Sequence, residues 1–130
     1  NNSGLENKIF LLPALIGEKL TNFYRACTVF VLPSIFKSEA FGIVLIEAMA
    51  CRKPIISTEL GTGTSFVNQD GITGFVIPPK DSQTLAQTIK KILENQKLAR
   101  ELGQNGFKRV IKEFSLEKML GGTAIVYETI

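Results

Sequence analysis

Histidine is absent from this chain of 130 residues, and its absence excludes several kinds of site. Neither a Ser-His nor a Cys-His nucleophile pair can form within the chain, and no metal centre can use imidazole ligands. Cysteine is scarce as well. Cys27 and Cys51 stand in apolar surroundings without a C-x-x-C pattern, so we expect reduced packing residues of a cytoplasmic chain and no metal site.

Long apolar runs and blocks of like charge are also missing. No stretch reaches the roughly 18 apolar residues of a membrane span, and no signal-peptide pattern occurs. The net charge of +3 is mild, and no block of about five or six like charges indicates a nucleic-acid partner. The first residue is Asn1 rather than Met, which indicates a piece of a longer protein.

Short apolar runs, several of them stopped by proline, indicate strands. Strands are predicted at Lys8–Leu12, Thr28–Leu32, Ile55–Thr58 and Thr73–Ile77. Helices are predicted at Gly17–Ala26, at about Gly42–Ala50, from Ser82 to about Asn95, at Gln96–Phe114 and from Ser115 onward. Because the strands are apolar throughout rather than alternating, the sequence predicts one α/β domain whose parallel sheet carries helices on both faces.

The two long helices near the C-terminal end carry apolar stripes that should cover the sheet. Asp81 is the predicted N-cap of the first helix. The residues predicted to face inward are Leu85, Ile89, Ile92 and Leu93 in the first helix, and Leu98, Leu102, Phe107, Val110 and Ile111 in the second.

The helix after Gly42 differs from the others because it is apolar on every face except at Glu47. Such a helix is buried, and a lone carboxylate inside it is costly unless something pairs with it. Glu39 lies just before the helix, whose N-terminus offers free N–H groups and a positive dipole end. Two acids and an anion cradle suit a ligand with hydroxyls and phosphate, such as a nucleotide sugar. The alternative is a buried helix whose one Glu bonds to neighbouring backbone.

Four motifs occur in order and with the spacing of a known family. They are V-F-V-L-P-S at Val29–Ser34, E-A-F-G-I-V-L-I-E-A-M-A at Glu39–Ala50, K-P-I-I-S-T at Lys53–Thr58 and G-I-T-G-F-V-I-P-P-K-D at Gly71–Asp81. Together they resemble the nucleotide-sugar-binding half of retaining glycosyltransferases of the group-1, or family 4, kind. The resemblance implies a truncated second domain of the GT-B fold, with a Rossmann-like sheet.

The resemblance also implies domain limits and residue roles. Residues 1–7 would be a lead-in, 8–114 the Rossmann-like core and 115–130 a C-terminal helix. Glu39 would be the catalytic residue, bonding the hydroxyls of the donor sugar beneath its reacting carbon. The other implied donor-binding groups are the backbone N–H groups of Phe41, Gly42 and Ile43 for the sugar, those of Val44 and Leu45 for the diphosphate, and the carboxylate of Glu47 for the ribose hydroxyls.

The implied reaction is transfer of a sugar, with retention, from a UDP- or GDP-linked donor to a hydroxyl acceptor in polysaccharide or glycolipid synthesis. No cofactor beyond this substrate is implied, and the acceptor would bind to an N-terminal domain that the chain lacks. The expected location is the cytoplasm, including the membrane surface. Lys90-Lys91 and Lys108-Arg109 would either contact anionic lipid there or form solvated helix faces.

Two departures from the family pattern affect these expectations. Arg52 stands where the family generally has glycine. The family domain also begins with two further strands, so we expect the isolated chain to be inactive and to self-associate or re-pair its first strand. The alternative function is a non-catalytic Rossmann-like assembly module. A dinucleotide-dependent oxidoreductase is disfavoured because the G-x-G at Gly61–Gly63 is not continued to G-x-G-x-x-G.

Overall fold

The computed structural model describes residue 4 and residues 7–33, 43–59 and 67–114. The elements in these ranges are helix α1 (Gly17–Ala26), strand β1 (Phe30–Leu32), helix α2 (Ile43–Ala50), strands β2 (Ile55–Thr58) and β3 (Gly74–Ile77), and helices α3 (Ser82–Leu93) and α4 (Gln96–Glu113). The strands form one parallel sheet in the order β1-β2-β3. The α/β fold with a parallel sheet is therefore confirmed.

Successive strand residues point to opposite faces of this sheet, and each face has its own apolar core. Phe30 and Ile55 are register partners, and both join the core formed with α1, α2 and the end of α4. Ile56 and Ile77 join the second core, formed with α3 and the first half of α4. Helices therefore cover both faces, which explains why the strands are apolar throughout.

The sequence prediction of a strand at Lys8–Leu12 is wrong. These residues lie outside every strand of the described ranges, and the side chains of Phe10 and Leu11 are 75% and 96% exposed. A strand is stable only when a neighbouring strand accepts its hydrogen bonds and a covering layer buries its side chains. The sheet of the described residues consists of β1, β2 and β3, and none of these strands pairs with this run.

Two residues predicted to face inward are exposed instead. The side chain of Leu93 is 52% exposed and that of Ile111 is 55% exposed. Each follows a residue that occupies the core position, Ile92 and Val110, both 1% exposed. Because successive helix residues are rotated by about 100°, the residue after a core position turns toward the surface.

The structure contains the side-chain N-cap predicted at Asp81 and a second, unpredicted one at Asn95. The carboxylate of Asp81 accepts hydrogen bonds from the Thr84 backbone N–H at 3.0 Å and from the Thr84 hydroxyl at 2.7 Å. These two bonds hold the pKa of Asp81 below its usual value. Asn95 caps α4 in the same way by accepting from the backbone N–H of Leu98 at 3.0 Å. The predicted N-cap is thereby confirmed.

Arg52 occupies the turn between α2 and β2 in a conformation that favours glycine. Its φ is 61°, in the left-handed region, which commonly ends helices. The guanidinium lies over the ring of Phe107, 3.8 Å from the ring centroid. The carbonyl of Arg52 lies so close to Gly103 that a Cβ there would overlap it. The arginine at this position is thus held by α4.

Candidate functional site: the amino end of helix α2

Helix α2 connects two neighbouring parallel strands, and this topology sets its direction. The helix must run back against β1 and β2, so its amino end lies at the edge where the strands end. Ligands of open parallel sheets bind at this edge. The amino end of α2 therefore lies at the edge where such folds bind ligands, and the donor site expected there stays a prediction.

Burial increases along α2 from its amino end inward. Five of its eight residues are buried, whereas the side chain of Ile43 is 36% exposed and Val44 is half-buried. The N–H groups of the first turn, at Ile43, Val44 and Leu45, have no i−4 carbonyl partner within the helix. No acidic side chain lies in that first turn, so no carboxylate on α2 competes there for the positive end of the dipole.

Glu47 is the polar exception in α2, and its partner is a tyrosine on another helix. The Tyr24 hydroxyl donates to Oε1 of Glu47 at 2.9 Å. Tyr24 is 3% exposed, and its burial, together with this hydrogen bond, raises the pKa of the phenol. The tyrosine therefore stays protonated and acts as the donor. The lone carboxylate does have the partner that its environment requires.

Tyr24 was missed as a polar partner in the sequence. Leu20, Phe23 and Tyr24 stand at helical spacing in the sequence, and the Tyr24 ring joins the apolar core in the structure. A tyrosine on a buried helix face needs a partner for its hydroxyl, as a carboxylate on α2 does. The available sequence signal was therefore a pair of polar groups, the Tyr24 hydroxyl and the Glu47 carboxylate, each of which needs a hydrogen-bond partner. The pairing itself requires the fold, because 23 residues separate Tyr24 from Glu47.

Two cavities open at the ends of the strands. One, of about 260 Å³, is lined by Pro33, Thr58 and Ile77, which stand at the ends of β1, β2 and β3, and by residues around the start of α3. The other, of about 520 Å³, lies beside Asn68 and Asp70. The described residues that line the two cavities lie outside α2, and both cavities open at this edge of the sheet.

A buried polar cluster shapes the wall of the larger cavity. The Asn68 side-chain amide donates to the Ser57 hydroxyl at 2.9 Å and to the Phe75 carbonyl at 3.0 Å. The Thr73 hydroxyl donates in turn to the Asn68 side-chain oxygen at 2.8 Å. These bonds fix the turn before β3 against β2, and satisfied buried networks of this kind are rigid. Sequence reasoning did not identify this cluster.

The predicted site residues divide into two groups. Glu39, Phe41 and Gly42 lie outside the described residues. Ile43, Val44, Leu45 and Glu47 all lie on α2, and Leu45 has no exposed surface. The implied roles of both groups stay predictions.

Two other kinds of site are absent from the described residues. These residues contain no group of three or more His, Cys, Asp or Glu side chains that could hold a metal ion. Among the helices described, none is long and apolar enough to cross a membrane.

Fold and comparison together define the class of protein. A parallel sheet covered on both faces, with its ligand edge beside the amino end of a buried helix, is a Rossmann-like arrangement. The family profile described as "Glycosyl transferases group 1" matches residues 1–109. The chain belongs to this family, and its fold is that of the second domain of GT-B glycosyltransferases.

Individual relatives agree with this assignment. The chain is 38% identical over 127 residues to O-antigen chain mannosyltransferase C of Escherichia coli, covering 98% of this chain and 34% of that protein. It is 43% identical over 112 residues to D-rhamnosyltransferase WbpZ of Pseudomonas aeruginosa, covering 86% of this chain and 29% of that protein. The chain thus spans about a third of the length of these relatives.

A solved structure supports the fold independently. The crystal structure of Anabaena HepE in complex with UDP-glucose superposes with a TM-score of 0.82 at 26% identity. The match covers 97% of this chain and 33% of that one. The described part of the chain therefore has the architecture of a protein that was crystallised with UDP-glucose.

Proposed function

We propose that the protein carrying this chain transfers a sugar, with retention, from a nucleoside diphosphate sugar to a hydroxyl acceptor, and that this chain binds the donor. The observation that carries the proposal is α2, a buried helix whose less buried amino end lies at the ligand edge of the sheet. The relatives named as a mannosyltransferase and a rhamnosyltransferase support sugar transfer in polysaccharide synthesis. The UDP-glucose complex supports a UDP- or GDP-linked donor.

In this proposal each donor group has a partner on or beside α2. The N–H groups of Val44 and Leu45 receive the diphosphate, and those of Phe41, Gly42 and Ile43 contact the sugar. The carboxylate of Glu47 accepts hydrogen bonds from the two ribose hydroxyls, because a carboxylate oxygen has lone pairs for more than one donor. Glu39 bonds the hydroxyls of the donor sugar beneath its reacting carbon.

The chemical step follows from charge development on the diphosphate. The acceptor hydroxyl attacks the anomeric carbon, the bond from that carbon to the phosphate oxygen breaks, and the hydroxyl proton passes to the departing phosphate. The leaving group gains negative charge as this bond breaks, and N–H groups already aimed at it stabilise that charge. The proposed reaction uses the donor itself and no further cofactor.

The remaining parts of the proposal concern acceptor binding, the location of the reaction and the association state of the isolated chain. Because the chain spans about a third of its relatives, we assign acceptor binding to a domain outside it. We place the reaction in the cytoplasm, including the membrane surface where lipid-linked acceptors would lie. The exposed apolar run at residues 9–12 supports self-association of the isolated chain, and sedimentation of a single monomeric species would contradict that part.

Steady-state kinetics of the full-length protein test the proposal. Glu47→Ala should raise the KM for the nucleotide sugar, whereas Glu39→Ala should mainly lower kcat. Full activity in both variants would exclude these roles. Calorimetric titration of the same protein with UDP-glucose and GDP-mannose separates a transferase from a non-catalytic assembly module, because the module should bind neither donor.

A further inference from the structure

The hydrogen bond between Tyr24 and Glu47 joins two of the elements that pack beside β1. Tyr24 belongs to α1 and Glu47 to α2, and the bond measures 2.9 Å. The carboxylate is half-buried among apolar neighbours. In such surroundings a charged group needs a directed partner, and Tyr24 is the partner that the described residues provide.

Tyr24 is itself held rigidly, so the direction of its hydroxyl is fixed. Its ring meets the ring of Phe30 edge-on, with centroids 5.4 Å apart, and that of Phe23 with centroids 5.9 Å apart. Its side chain is 3% exposed. Contacts from α1 and β1 therefore determine where the phenol oxygen lies.

A rigid donor has a specific effect on a ligand-binding carboxylate. A free glutamate side chain loses rotamer freedom when it is ordered, at a cost near the top of the side-chain range. A hydrogen bond already made to Oε1 removes part of this cost before the ligand arrives. The bond uses one oxygen and leaves Oε2, with its lone pairs, able to accept from hydroxyl groups.

We propose that Tyr24 is a positioning residue for donor binding: its hydroxyl fixes the Glu47 carboxylate so that the second oxygen faces the vicinal hydroxyls of the donor ribose. This inference rests on the proposed function of Glu47. Tyr24 touches no reacting atom, so its effect is on donor affinity rather than on the chemical step.

The test uses three single variants and one double variant of the full-length protein, assayed with the nucleotide sugar as the varied substrate. Tyr24→Phe removes the hydroxyl and keeps the ring packing. We expect it to raise the donor KM about tenfold, the effect of losing one hydrogen bond to a charged group. We expect kcat to stay within about twofold, because the bond does not change in the transition state.

Thr21→Val is the matched control. Thr21 is a buried hydroxyl residue on the same helix, and its hydroxyl donates within α1 to the Gly17 carbonyl at 3.3 Å. It should leave the donor KM unchanged, and thermal unfolding of both variants monitors any loss of packing. Equal rises in KM for Thr21→Val and Tyr24→Phe would overturn the inference, since the effect would then be structural.

Glu47→Ala separates failure of the inference from failure of the proposed function. If Tyr24 acts through Glu47, adding Tyr24→Phe to Glu47→Ala should change the KM little further. A raised KM in Glu47→Ala with an unchanged KM in Tyr24→Phe would overturn the positioning role alone. An unchanged KM in both variants would overturn the role of Glu47 and the inference with it.

Discussion

Helices α2 and α3 cover opposite faces of the same sheet, and different forces keep each of them helical. Five of the eight residues of α2 are buried, and the residue before it, Gly42, has no side chain with which to cap it. In α3 one residue of twelve is buried, Ile92, while Asp81 caps the first turn with two hydrogen bonds. Tertiary burial maintains α2, whereas local interactions help to maintain α3.

This difference bears on function because a capped helix end is already occupied. The Asp81 carboxylate takes an N–H group at the start of α3, and Asn95 does the same at α4. Helix N–H groups that are not capped can bind a ligand instead. The described part of α2 is stabilised by the apolar core and by the turn at Arg52, against which α4 packs.

The largest expected loss of stability comes from a substitution that breaks the contact between α4 and the turn at the C-terminal end of α2. Gly103→Ala would place a Cβ against the Arg52 carbonyl, a backbone atom that cannot move aside alone. We expect the free energy of unfolding to fall by about 3 kcal/mol or more, because α4 must shift away from the turn. Urea denaturation of the purified variant and the parent protein measures the difference.

Gly106→Ala is the control within the same helix. A Cβ there would lie 3.4 Å from Cγ of Met49, a flexible side chain. Alanine gains up to about 1 kcal/mol of helix propensity over glycine, so the stability should stay within about 1 kcal/mol of the parent. Similar losses in both variants would show that α4 needs glycine for flexibility rather than for its approach to α2.

A smaller loss of stability should be confined to α3, on the other face of the sheet. Asp81→Ala removes both hydrogen bonds to Thr84 and should destabilise the protein at neutral pH. Because the folded pKa of Asp81 is lowered, its contribution is present above the unfolded pKa of about 3.9 and is lost as pH falls through the folded value. The difference from the parent should therefore shrink in acid.

Amide hydrogen exchange locates this effect. Protection in the first turn of α3 should fall in Asp81→Ala, while protection in α2 stays unchanged, since α2 lies on the opposite face. Asp81→Asn, which keeps an accepting side-chain oxygen, should retain most of the stability. Loss of protection in α2 as well would mean that the two faces unfold together and that the local cap is not what distinguishes them.

Several elements have the bounds that the sequence predicts. The bounds of α1 and β2 match the predicted Gly17–Ala26 and Ile55–Thr58, and Asp81 caps α3 as expected. Lys8–Leu12 failed because an apolar run shows only that burial would be favourable, not that a partner strand is present. A strand depends on its neighbours in the sheet, whereas a helix bonds to itself.

The same distinction explains what could be predicted of the candidate site. The need of Glu47 for a partner follows from its apolar neighbours in sequence, but Tyr24 as that partner follows only from the packing of α1 on α2. Arg52 was noted as a departure from glycine, yet its left-handed φ and its stacking on Phe107 required the turn and α4 together.

The smallest expected effect concerns Arg52, where two contributions oppose each other. A non-glycine residue in the left-handed region costs about 1–2 kcal/mol, and stacking of an exposed guanidinium on an aromatic ring returns about 0.5–1 kcal/mol. Arg52→Gly should therefore stay within about 1 kcal/mol of the parent, whereas Arg52→Ala keeps the strain and loses the stacking. We expect the alanine variant to be the less stable of the two by about 1 kcal/mol in urea denaturation.

Phe107→Leu separates these two contributions, because the leucine removes the aromatic ring that lies 3.8 Å from the guanidinium and leaves the turn unchanged. In that background Arg52→Gly loses no stacking and should stabilise the protein through relief of the left-handed φ alone. If Arg52→Gly is instead equally neutral with and without Phe107, the stacking contributes nothing. The turn would then tolerate arginine because the packing of α4 imposes its conformation, and the stability of α2 would depend on α4 even more than its burial indicates.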